Sequence, residues 1–66
     1  MSKIWKPLTI ATYQQWIDDI IIEAYEELSP WETNFISDLQ IKLGAGWNLT
    51  ENQAKALEKI YAQRTK

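Results

Sequence analysis

The chain has no cysteine and no histidine. The first absence excludes disulfides and thiolate metal sites. The second removes the side chain best suited to acid–base work near neutral pH, and no thiol nucleophile stands in for it. Long apolar runs are missing too: the longest aliphatic stretch, Ile20-Ile21-Ile22, falls far below membrane-spanning length. The start, Met1 to Pro7, is basic, but no apolar segment follows it as a secretory signal requires. Basic residues are themselves absent from a long stretch, with no Lys or Arg between Pro7 and Ile41. These absences argue for an intracellular protein without a membrane segment, and against an enzyme. Adjacent carboxylates such as Asp18 and Asp19 point about 100° apart on a helix and do not converge, and a magnesium site needs converging oxygens in a concave place. No catalytic residue, metal site or cofactor is therefore expected. Asn48-Leu49-Thr50 fits the glycosylation triplet and is set aside for want of a secretory signal.

Two short stretches carry the strongest positive signal. Leu28-Ser29-Pro30-Trp31-Glu32 and Leu49-Thr50-Glu51-Asn52-Gln53 each place a hydroxyl residue three positions before Glu or Gln. This is the sequence form of a capping box: the hydroxyl accepts from the N3 backbone N–H while the N3 side chain reaches back to the N-cap amide. Pro30 stands at the first helical position, where a missing donor costs nothing. Helices are therefore expected to begin after Ser29 and after Thr50, with Gly44 and Gly46 in the loop between them.

Apolar spacing fills in the rest. Tyr13, Trp16, Ile17, Ile20, Ile21, Ala24, Tyr25 and Leu28 recur at intervals of three and four and predict a first helix over about 13–28. Thr12 with Gln15 offers one start for it, and Thr9 competes. Trp31, Phe35, Ile36, Leu39 and Leu43 define the buried side of a second helix over 30–43, with Gly44 as the left-handed residue that ends it. Ala54, Leu57, Ile60 and Tyr61 face inward from a third helix over 51–63, whose last turn and tail carry Arg64 and Lys66 at the negative end of the dipole. Residues 1–8 read as an arm. The expected fold is all-α: one compact three-helix domain over 1–66, with a tight corner at Leu28-Ser29 and a helical hairpin over 28–62.

A 66-residue chain buries a small core, worth no more than about 3–5 kcal/mol of net stability. Four tryptophans compensate. Trp16 and Trp31 are expected in the core. Trp5 and Trp47 lie outside the helical pattern, and for them packing and partner contact are both open. Ile22 and Ile41 fall off the apolar stripes, and their exposure leaves a homodimer open.

The net charge of −2 conceals a segregation. Seven acids and no base lie between Pro7 and Ile41, whereas five bases and two acids follow. Asp19, Glu23 and Glu27 are four apart and share a helix face, where like charges repel by a few tenths of a kcal/mol per pair. Three readings are open: Lys55 and Lys59 meet that ladder inside the domain, the ladder docks a basic partner, or it is a solvated face with no role. A second candidate surface comprises Trp47 in the loop with Asn52, Lys55, Lys59 and Arg64 of the third helix. Asn can read adenine and Lys or Arg can hold phosphates, but the loop from Gly44 to Thr50 is long for a helix-turn-helix turn, and the acids would repel a polyanion.

The stretch Leu28-Ser29-Pro30-Trp31-Glu32, with Phe35-Ile36, Leu39, Leu43, Leu49-Thr50, Gln53, Ala54, Leu57, Ile60 and Tyr61, resembles a short helical module of small phage proteins, of the type encoded beside the UvsW helicase of T-even phages. The resemblance covers roughly 28–62 and rests on caps and core positions. It implies a non-catalytic phage accessory or adaptor, acting in the cytoplasm of an infected bacterial host on a protein of DNA replication, recombination or repair. Direct nucleic-acid binding through the third helix, and inhibition of a host enzyme or defence system by the acidic surface, are the alternatives.

Overall fold

The computed structural model describes residues 4–65. Lys3 of the expected basic arm and Lys66 of the expected basic tail lie outside the described residues. The elements are α1 (Ile10–Ala24), a single 3-10 turn (Tyr25–Glu27), α2 (Pro30–Gly44) and α3 (Glu51–Arg64). The protein is an all-α three-helix domain, and no strand occurs among the described residues.

Both expected helix starts are formed by complete capping boxes. Ser29 Oγ accepts from the Glu32 amide at 3.1 Å, and Glu32 Oε1 accepts from the Ser29 amide at 2.9 Å. Thr50 Oγ1 accepts from the Gln53 amide at 3.2 Å, and Gln53 Oε1 from the Thr50 amide at 3.1 Å. Each box satisfies donors that a helix start otherwise leaves bare.

The bounds of α1 differ from the sequence expectation at both ends. Thr9, not Thr12, is the N-cap: its side chain accepts from the Thr12 amide at 3.2 Å. The extra turn brings Ile10 against the core. At the other end α1 stops at Ala24, four residues early. Ser29 precedes Pro30 and is held extended at φ −70°, ψ 162°. The chain must therefore leave helical geometry before it, and the 3-10 turn followed by extended Leu28 makes the corner.

α2 ends in a Schellman motif. The Gly46 amide donates to Leu43 O at 3.0 Å and the Trp47 amide to Lys42 O at 3.0 Å. The left-handed residue is Gly46, at φ +90°, whereas Gly44 is the last helical residue. The expectation for Gly44 was thus two positions early, because the helix keeps its full final turn through Gly44 and closes on the second glycine.

The core is built from Tyr13, Ile17 and Ile20 of α1, Ile36, Leu39 and Leu43 of α2, and Ala54, Leu57 and Ile60 of α3, with Leu49 from the loop. α1 packs against both other helices. Trp16 stacks on Tyr61 with ring centroids 4.9 Å apart and meets Tyr13 edge-on at 5.5 Å. The described part of the arm, residues 4–8, is tied to the domain. Trp5 packs against the core, Leu8 N donates to the Tyr13 hydroxyl at 3.0 Å, and Asn48 Nδ2 donates to Leu8 O at 2.8 Å.

Leu57 has no exposed surface. Leu57→Ala is expected to cost about 2–5 kcal/mol, comparable to the whole net stability of a core this size, so its helical circular dichroism should collapse at low urea. The glycines give a second check. A Cβ at Gly44 meets nothing within 4 Å, and Gly44→Ala should stabilise by up to about 1 kcal/mol. Gly46→Ala should destabilise by about 1–2 kcal/mol, because its φ of +90° strains any L side chain. Equal urea midpoints for the two variants would contradict the assignment of the left-handed residue.

Candidate functional site

The polar chemistry of the domain concentrates where α2 and α3 meet. Glu32, at N3 of α2, is only 8% exposed. Its Oε1 accepts from Arg64 Nη2 at 2.9 Å in addition to the Ser29 amide. The opposite end repeats the pattern: Gln53 Oε1, at N3 of α3, accepts from Lys42 Nζ at 2.8 Å as well as from the Thr50 amide. The last-turn cation of each helix thus reaches the first-turn acceptor of the other, which sets α2 and α3 antiparallel. Hydrogen bonds from the Ser29 backbone and from Arg64 hold the Glu32 carboxyl below its ordinary range, and burial opposes them.

This contact fixes the rotation of α2 and overturns one expectation. With Glu32 turned inward, the buried stripe runs Glu32, Ile36, Leu39, Leu43. Trp31, one residue earlier, is swung about 100° outward and is 61% exposed, contrary to its expected place in the core. It stacks face to face on half-buried Phe35, with centroids 5.2 Å apart, and walls a cleft with Ala56, Lys59 and Ile60.

The acidic ladder is divided by the fold. Asp19 is half-buried: its Oδ1 accepts from Gln15 Nε2 at 3.0 Å and its Oδ2 from the Tyr61 hydroxyl at 3.4 Å. Glu23 and Glu27 are exposed. Lys55 pairs with Glu51 on its own helix at 2.9 Å. The contact that reaches Asp19 from α3 is the Tyr61 hydroxyl and not a lysine, so the internal match expected from Lys55 and Lys59 is not what holds Asp19. On the second candidate surface, Asn52, Lys55 and Lys59 share one exposed face of α3, and Trp47 is exposed in the loop. Arg64 is turned away from them toward Glu32. The Tyr61–Asp19 and Asn48–Leu8 contacts escaped the sequence, since each joins residues about forty positions apart.

Among the described residues no group of three or more His, Cys, Asp or Glu is placed to hold a metal ion. No described helix is long and apolar enough to cross a membrane. No protein-family model matches the chain, and no curated protein or solved structure matches it.

The Glu32–Arg64 pair makes a pH-dependent prediction. A carboxyl with a lowered folded pKa contributes stability that is present above the unfolded value, about 4.3, and is lost as pH falls through the folded one. The wild-type thermal midpoint should fall as pH drops below about 4.3. Arg64→Ala should cost about 1–3 kcal/mol at pH 7 and show a shallower acid decline. Parallel acid curves for the two proteins would show that the ion pair contributes nothing.

Proposed function

We propose that the chain is a non-catalytic phage accessory or adaptor protein that works by binding a protein of DNA replication, recombination or repair. The observation that carries this reading is the outer surface of α1, the 3-10 turn and α2. Asp18, Glu26, Glu27 and Asp38 stand exposed there without an ion pair among the described residues, and no basic residue occurs between Pro7 and Ile41. Exposed Ile22 and Tyr25 lie among these acids. Apolar residues set in charge of one sign suit recognition of a protein of opposite charge. The resemblance of residues 28–62 to the phage module supplies the setting, an infected bacterial cytoplasm and a DNA-processing partner.

Within this reading Glu23 and Glu27, with Asp19 at their edge, form one contact surface. Trp47, Asn52 and Lys59 form the other, with Lys55 tempered by Glu51 and Arg64 committed to Glu32. The rival role, direct nucleic-acid binding, draws on the shared face of Asn52, Lys55 and Lys59, but Glu51 and Glu58 on the same helix oppose a polyanion.

Titration with fluorescently labelled single- and double-stranded DNA separates the two. No binding is expected up to tens of micromolar. Binding that weakens steeply between 50 and 200 mM salt, on the order of a hundredfold or more, would replace the adaptor reading with the nucleic-acid one. In a pull-down with the purified phage replication and recombination proteins, Glu26→Lys with Glu27→Lys, both exposed, should lower capture at least tenfold. Unchanged capture would remove the acidic surface from the contact.

A further inference from the structure

α1 and α2 run in opposite directions and leave a furrow between their outer sides. At one end it is lined by Ile21, Tyr25, Leu28, Ile36, Ser37 and Gln40. Gln40 continues into a second depression shared with Gln14 and Asp18. Along α1 the lining positions recur at Gln14, Asp18 and Ile21 and continue to Tyr25 at the start of the 3-10 turn, a stripe of about 16 Å, or three helical turns. Ser37 and Thr33 on the facing side are short, so a rod laid along the furrow can approach the backbone closely. Ile22 (79% exposed) and Ile41 (70% exposed) stand on the two shoulders, each one residue of helical rotation outward from Ile21 and Gln40.

We infer that this furrow docks an amphipathic helix with basic flanks, supplied by the partner protein; the inference rests on the adaptor reading and names the partner's chemistry. The apolar end of the furrow at Ile21, Tyr25, Leu28 and Ile36, with the two exposed isoleucines, matches the apolar face of a docked helix, and the polar end at Gln14, Asp18 and Gln40 matches its basic flank, the groove mode of peptide recognition. Among the described residues the charges beside the furrow are acidic: Asp18 lies in it and Glu26 stands in the 3-10 turn beyond Ile22, while the nearby cation Lys42 is turned to Gln53 on α3. A cationic helix is complementary to that surface. A second copy is disfavoured, since a two-fold contact through the furrow sets Asp18 and Glu26 against their own counterparts. Nucleic acid is repelled for the same reason.

Amide chemical shifts of the isotope-labelled full chain provide the test, with a synthetic fourteen-residue helix of leucine and lysine in amphipathic order as probe. The same residues in scrambled order, and a leucine–glutamate helix, are the controls. Saturable shifts at Asp18, Ile21, Ile22, Tyr25, Ser37 and Gln40 are expected with the amphipathic basic helix, and at least tenfold weaker binding with either control. Ile22→Ser with Tyr25→Ser should raise Kd at least tenfold while leaving helical circular dichroism unchanged, because both side chains are exposed. Asp18→Lys with Glu26→Lys should reverse the preference toward the leucine–glutamate helix, a gain that unfolding cannot imitate. Equal binding of the scrambled peptide, shifts centred on Trp31 and Lys59, or concentration-dependent shifts at these amides in the free protein would each overturn the inference. Capture of a DNA-processing protein that survives Ile22→Ser with Tyr25→Ser would sink the furrow and leave the adaptor reading standing. Peptide binding in the furrow with no such protein captured would do the reverse.

Discussion

Two side-chain oxygens organise this molecule. Glu32 Oε1 and Gln53 Oε1 each close their own helix start and each take a cation from the end of the opposite helix. The same atom therefore performs a local task and a tertiary one. Locally it supplies an acceptor for an N-cap amide that otherwise lacks one. Tertiarily it decides that α2 and α3 run antiparallel, and it fixes how each is rotated about its axis. A small core of aliphatic residues tolerates several rotations of a helix at modest cost. A buried carboxylate with two donors does not, because leaving either bond unmade exposes a desolvation penalty.

Much of the remaining structure follows from that constraint. With Glu32 inside, the inner stripe of α2 is set and Trp31 is carried outward, where stacking on Phe35 limits its freedom. With α2 and α3 held to each other at both ends, α1 packs against both and contributes Tyr13, Ile17 and Ile20 to the common core. Lys42 and Arg64 are drawn inward by the same contacts. The charge segregation seen along the chain thus becomes a spatial one, with two of the cations consumed in the frame and Asp18, Glu26 and Glu27 left facing outward.

The parts of this architecture that depend on neighbours in sequence were legible there. The Ser29–Glu32 and Thr50–Gln53 boxes, the α1 stripe through Ile17 and Ile20, and the inward Leu57 all rest on spacings of three or four. What failed depended on distance or on competition between nearby options. Apolar spacing with Phe35 and Leu39 assigns Trp31 to the buried stripe of α2, and only the Glu32–Arg64 pair, thirty-two positions apart, shows why it lies outside. Thr9, not Thr12, caps α1, and the added turn half-buries Ile10 against the core, a gain that local pattern does not weigh. Gly46 rather than Gly44 took the left-handed place, a choice between two glycines that composition leaves equal. Of the candidate surface residues, the sequence placed Asn52, Lys55 and Lys59 on one face but gave no sign that Arg64 is spent within the fold.

The amide of Asn48 binds two distant parts of the chain at one point. Its nitrogen donates to Leu8 O, and its oxygen accepts from the Leu49 amide at 2.7 Å. The first strap of the molecule is thereby tied to the threshold of α3 rather than only to the helix it leads into. Breaking that bond would free the lead-in to α1 and the lead-in to α3 at once, so fraying at either place would loosen the other by about 0.5–1.5 kcal/mol, the net value of one hydrogen bond.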